Sequence, residues 1–194
     1  EMALEVDVYE YDRSIPGAFL KAAEQMVSDG VDAAVIVAKI VDEATEFFSH
    51  HPDLIYVLVD SNVEGANPIS FVGQNPDVGG RIAGRVLSLL SKNNHGYFLS
   101  FSFRSSQISR ERIKGFQNYC DEHGIHYIIY NNIDSLDDIP KILSDAFDRY
   151  HIDGIFVPFF AGFKVAKDLE DLFSIKQFPI VTYDLVPINR QAVL

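Results

Sequence analysis

Short apolar runs of strand length alternate along this chain with longer stretches in which apolar residues recur every three or four positions. Residues 4–9 alternate apolar and acidic side chains and predict a strand. Ser14 is placed to cap a helix that carries Pro16 in its first turn. Ile15, Phe19, Ala22, Ala23, Met26 and Val27 keep helical spacing, and Gly30 ends the helix. Residues 33–37 are wholly apolar, the mark of a strand covered on both faces. A helix is predicted over 42–50, with Ala44, Phe47 and Phe48 inward and Pro52 as its breaker, and residues 55–59 form the next strand, ending at Asp60.

The rhythm then changes. Asp60 leads through Gly65 and Pro68 to another strand at 69–72, with no room for a helix between. Gln74-Asn75-Pro76-Asp77 follows, and then a helix over 78–90, on which Gly80 and Gly84 are four apart and invite another backbone to pack close. From residue 97 the alternation resumes: strand 97–101, helix 105–123, strand 127–130, a helix opened by Asp138 and Pro140, strand 155–157, a helix through Ala166, Leu169, Leu172 and Phe173, and strand 180–183 ending at Asp184. The pattern predicts an α/β protein of two consecutive doubly wound parallel-sheet lobes, residues 1–74 and 75–194.

Ligands of open parallel sheets collect at the C-terminal ends of the strands. A cleft between two such lobes would be approached by Tyr11, Ala38-Lys39 and Asp60 from the first, and by residues 102–105, Phe159-Phe160 and Asp184 from the second. Within Ser109-x-x-Arg112-x-x-Gly115-Phe116, Arg112 and Phe116 share one helix face. Arg112 reads either as a clamp on a ligand or as an arginine snorkelling at the helix edge. Asp60 and Asp184 read either as ligand contacts or as turn formers.

Composition narrows the function classes. The chain has 194 residues, 47% of them hydrophobic, enough for a substantial core, and its formal net charge of −12 argues against a nucleic-acid surface within it. Cys120 stands alone, which excludes an internal disulfide. The opening residues carry no signal-peptide pattern, and no apolar run approaches the roughly 20 residues of a membrane span. There is no G-x-S-x-G elbow, no H-E-x-x-H and no Walker lysine, so no enzyme is expected. Cys120-x-x-His123-x-x-His126 straddles a helix end and a strand start, so its side chains should not converge on a metal. No cofactor is expected.

The residues carry a resemblance. Stretches 31–37 (VDAAVIV), 57–62 (VLVDSN), 69–87 (ISFVGQNPDVGGRIAGRVL), 106–125 (SQISRERIKGFQNYCDEHGI) and 153–184 (DGIFVP to PIVTYD) are together similar to the effector-binding domain of LacI-type transcriptional repressors, which share the type I periplasmic sugar-binding-protein fold. The resemblance implies that Arg112 and Asp184 contact sugar hydroxyls, that Asp60 lies near the ligand and that Gln74-Asn75 is the hinge. Two departures stand out: Phe159-Phe160 replaces the Asn-Asp usual in the family, and Ala38 then Lys39 follow the first lobe's apolar strand where a polar residue is usual. The family's domain begins a strand and a helix earlier and continues past residue 194, so the chain reads as incomplete at both ends. The implied protein is cytoplasmic and homodimeric. It senses a small-molecule effector, a sugar, and meets DNA only through a helix-turn-helix outside this chain. The alternative is a periplasmic sugar-binding protein that feeds a transporter.

Overall fold

The computed structural model describes residues 5–91, 96–103, 107–184 and 187. The chain divides into two compact units, Glu1–Gln74 and Asn75–Leu194. Every strand pairing in both is parallel, and the architecture is an α/β fold of parallel sheets and helices.

The first unit is a three-stranded sheet in the order β1-β2-β3, with β1 at Ala34–Ile36, β2 at Tyr56–Val59 and β3 at Ser70–Val72. Helices α1 (Ala18–Ser28) and α2 (Val41–His50) send Phe19, Ala23, Met26, Ala44, Phe47 and Phe48 onto the same sheet face as Ala34, Ile36, Ala38, Tyr56 and Leu58. Side chains alternate across a strand, so Val35 points the other way and is 75% exposed. The all-apolar run at 33–37 therefore has one covered face among the described residues, not two.

Two further expectations fail locally. Residues 5–9 form no ladder, although Tyr9 and Tyr11 still pack on the core; an alternating segment becomes a strand only when it finds a partner edge. Ser14 does not cap α1. Its N–H and hydroxyl both bond the Asp12 carboxylate, at 2.8 and 2.6 Å, and these bonds hold Asp12 below the usual carboxylate range. Gly17 (φ 78°) turns the chain into α1 instead, and Glu43 of α2 accepts from the Gly17 and Leu20 amides at 2.6 and 3.2 Å. A carboxylate from the neighbouring helix thus serves the open N–H groups that an N-cap would serve.

The second unit is a four-stranded sheet in the order β5-β4-β6-β7: β4 at Tyr97–Phe103, β5 at His126–Ile133, β6 at Ile152–Val157 and β7 at Ile180–Thr182. Both faces are covered. Phe98 and Phe156 meet α3 (Pro76–Leu90) and α4 (Gln107–His123) through Ala83, Leu87, Ile113, Phe116 and Cys120. Leu99, Phe101, Ile155 and Val157 meet α5 (Ile139–Arg149) and α6 (Gly162–Phe173) on the opposite face. The turn before α5 is capped by Ser135 with Asp138 in a reciprocal capping box; Asp138 itself makes no side-chain cap on α5.

Glycine sets how close α3 and α4 come. A Cβ on Gly80 would sit 1.8 Å from the Arg112 carbonyl oxygen, and one on Gly115 would sit 2.0 Å from the Asp77 carbonyl oxygen. Each helix lays a glycine against the other's backbone, as the Gly80/Gly84 spacing foretells. The contact fixes the height of α4, and with it Arg112, over the sheet.

Candidate functional site

In the second unit the strand order turns back at β4: the chain passes from β4 to β5 on one side, then to β6 on the other. The C-terminal ends of β4 and β6 therefore flank a switch point, where parallel sheets hold ligands. Arg112 reaches this edge from α4. Its Nη1 donates to the Pro158 carbonyl, just past β6, at 2.9 Å. Its guanidinium carbon stands 3.5 Å from the centroid of the Tyr183 ring, just past β7. The side chain is tied across two adjacent strand ends, which a freely snorkelling arginine would not be. Asp184 follows Tyr183 in the exposed left-handed conformation, φ 64°. Burial raises the Tyr183 hydroxyl above its ordinary pKa; Arg112 opposes that shift and Asp184 adds to it.

The other residues expected at this edge divide. Ser102 is fully buried, and its hydroxyl donates to Asn131 Oδ1 on β5 at 3.4 Å. Phe159, expected on a ligand-facing surface, is only 8% exposed; its ring lies 4.6 Å from that of Phe103 and 5.9 Å from that of Phe101, in the core beneath the edge. Phe160 is 45% exposed and is the aromatic of the pair that faces outward. Residues 104–106, the serine loop, lie outside the described residues.

The first unit gathers its own set at the ends of β1 and β2. The Tyr11 hydroxyl donates to the Val37 carbonyl at 2.7 Å and accepts from the Lys39 amide at 2.9 Å. Lys39 Nζ is ion-paired with the Asp60 carboxylate. Asp60 turns left-handed at φ 65°, and its amide donates to the Val72 carbonyl at 2.9 Å. Tyr11, Lys39 and Asp60 are 28 and 21 residues apart in sequence, measured from Lys39, and meet in one hydrogen-bonded group. Ala38 is core. Asn75 Oδ1 accepts from the Val78 amide at 3.2 Å, so the residue expected at the hinge caps α3.

Sequence reasoning missed Tyr183 as a partner of Arg112. The only available signal was an aromatic residue immediately before the strand-ending Asp184, which strand alternation alone assigns to packing. The Cys120, His123 and His126 side chains do separate. Cys120 is buried among α3 and α4, His123 stacks on Tyr119 at 4.1 Å, and His126 lies 5.4 Å from Tyr97.

Residues 3–194 match the family model of the periplasmic binding protein domain. The chain belongs to that family. Solved structures agree on the fold of this periplasmic binding protein domain. A protein described as a LacI transcriptional regulator from Bacteroides fragilis superposes with TM-score 0.74 at 21% identity, over 94% of this chain and 66% of that one. AraP, an arabinose binding protein from Geobacillus stearothermophilus, gives TM-score 0.74 at 20% identity, over 90% and 62%. The sugar-binding protein of a sugar ABC transporter from Bacillus halodurans gives 0.72 at 18% identity, over 90% and 62%. The domain thus spans 62–66% of the length of these structures. No protein of curated function matches the sequence. The family and its structural neighbours are binding proteins and regulators.

Proposed function

We propose that this periplasmic binding protein domain binds a sugar, and that it does so as the ligand-sensing part of a LacI-type transcriptional regulator. The observation that carries the sugar reading is the placement of Arg112. A planar cation with donors in a fork is held at the switch-point edge against the Tyr183 ring, and the exposed Asp184 is the next residue along the chain. Donor and acceptor at one edge match the hydroxyl pattern of a sugar, in which each hydroxyl both gives and takes a hydrogen bond. The exposed ring of Phe160 offers an apolar face for the C–H side of a pyranose. Lys39 and Asp60 place a cation and a carboxylate together on the first unit as well.

The similarity to a LacI regulator over 94% of the chain supports the regulatory reading, with a homodimer on paired half-sites and DNA contacted outside this domain. The equal TM-score of 0.74 with AraP supports a second reading, a carrier that delivers sugar to a transporter. A thermal-shift screen against D-arabinose, D-galactose, D-glucose and D-tagatose tests the shared premise, since a ligand that binds only the folded state raises Tm. A rise with at least one sugar is expected; no rise with any of them removes the sugar reading. Gel shift of operator fragments by the full-length protein, with and without the stabilising sugar, separates the two roles: sugar-dependent DNA binding supports the regulator, and its absence supports the carrier.

A further inference from the structure

We infer that Tyr183, seated against Gly79, is a positioning residue that fixes the orientation of Arg112 for its ligand. The inference rests on the reading of Arg112 as a ligand donor and extends it to two residues that need not touch the ligand.

An arginine side chain has four rotatable bonds, and a hydrogen bond such as that to Pro158 fixes one donor rather than the tilt of the guanidinium plane. The Tyr183 ring sets that tilt. With the guanidinium carbon 3.5 Å from the ring centroid, the plane has a cation–π partner. The donors of a guanidinium lie in its plane, whereas the ring interacts with the cationic group as a whole. Stacking therefore restricts the arginine without competing for its N–H groups.

The ring is itself held. Phe156, fully buried on β6, lies 6.1 Å from it centroid to centroid. On the hydroxyl side the first turn of α3 leaves no clearance: a Cβ on Gly79 would stand 2.2 Å from the Tyr183 hydroxyl oxygen and 3.3 Å from the ring carbon that carries it. Gly79 is helical and its backbone needs no glycine, so the absent side chain serves the tyrosine. The turn is anchored, because the Gly79 amide donates to the Asn75 carbonyl at 3.0 Å. Gly79, Tyr183 and Arg112 are thus stacked in series, each setting the place of the next.

The series predicts a rescue. Gly79→Ala drives its methyl group into the Tyr183 hydroxyl and tilts the ring off the arginine. Tyr183→Phe removes the obstructing oxygen, and the nearest ring atom is then 3.3 Å away, a contact a small shift accommodates. Arginine Nε–H NMR reads the orientation without any ligand, the Arg112 signal being assigned by its loss in Arg112→Lys. The ring-current shift of that signal should be present in wild type, Tyr183→Phe and the Gly79→Ala/Tyr183→Phe double variant, and lost in Tyr183→Leu and Gly79→Ala. Calorimetric titration with whichever of D-arabinose, D-galactose, D-glucose and D-tagatose binds wild type most tightly should follow the same order. Tyr183→Leu and Gly79→Ala should bind about 5- to 30-fold more weakly, and the other two should stay within about 3-fold of wild type. An Arg112 signal unmoved by Tyr183→Leu overturns the inference. So does a signal that moves while affinity stays at the wild-type value, or a Gly79→Ala defect that Tyr183→Phe fails to relieve. If none of the four sugars binds wild type, the sugar reading fails, and the NMR series alone decides whether Gly79 and Tyr183 hold the arginine.

Discussion

Arg112 is tied to the fold by the Pro158 carbonyl and the Tyr183 ring, which changes what its removal should do. Arg112→Ala should weaken sugar binding by about 10- to 150-fold, the worth of charge-assisted hydrogen bonds, and Arg112→Lys should fail as well because one ammonium cannot reproduce the fork. The helix pattern alone suggests a negligible folding cost. The ring and carbonyl contacts instead predict a loss of about 1–2 kcal/mol in urea unfolding of the alanine variant. Two other residues bear on stability at alkaline pH. Burial, with a smaller contribution from Asp121, pushes the Cys120 thiol up to about 12 from 9.0. Burial and the hydrogen bond to Asp145 likewise push the Tyr130 hydroxyl up to about 12 from 10.0. Both groups hold their protons longer when folded than when unfolded. Their contribution to stability is therefore fully present below pH 9 and is lost as pH rises from about 9 to 12, where the unfolded state binds fewer protons. Urea midpoints across that range should show the decline, and Tyr130→Phe should make it shallower. Cys120 should also resist thiol reagents at pH 8 until the protein unfolds.

The elements most legible in the sequence are those whose signal is local. The Gly80–Gly84 spacing foretells close packing, and the structure sets Gly80 against the Arg112 carbonyl. Gly80→Ala should separate α3 from α4 and cost about 1–3 kcal/mol, despite a helix-propensity gain of about 1 kcal/mol for alanine; denaturant unfolding measures the difference. Long, strongly periodic helices such as α4 and α5 were readable for the same reason, as was the parallel α/β class. Features that depend on a distant partner were not. Residues 5–9 alternate like a strand but pair with nothing described, and the N-terminus of α1 is served by Glu43 of α2, which no local motif announces. Phe159 and Phe160 look equivalent in sequence, yet one lies under the sheet edge and the other over it. Phe160→Ala should leave unfolding free energy within about 0.5 kcal/mol and weaken sugar binding, whereas Phe159→Ala should cost about 3–5 kcal/mol of stability. Of the candidate site, Tyr11, Lys39 and Asp60 could be placed together because each ends or flanks a strand. The Arg112–Tyr183 contact could not, because it depends on a side-chain rotamer.

At the scale of the whole molecule, each unit has a hydrophobic core of its own. On the sugar reading, a ligand held by Arg112 and Asp184 stabilises the second core, and one held by Lys39 and Asp60 stabilises the first. Scanning calorimetry with ligand at about 100 times Kd, where linkage adds about 2.7 kcal/mol, should raise the transition of the second unit, which carries Arg112. A transition left unmoved would confine binding to one unit.

The two units also end a strand in the same unusual way, with an aspartate in left-handed backbone: Asp60 at φ 65° and Asp184 at φ 64°. Few side chains tolerate that conformation, and β-branched ones least of all. Asparagine keeps the turn and discards the charge; glycine keeps the turn and discards the side chain. Both are a single base change from an aspartate codon. If Asp60 and Asp184 contact the ligand as proposed, the changes that mutation reaches most readily and folding accepts most easily are ones that would alter ligand choice. In a library randomised at 60 and 184 and sorted only for folded protein, Asp, Asn and Gly should dominate the survivors. A lineage drifting through that set could exchange one sugar for another, or lose its ligand altogether, with its fold intact.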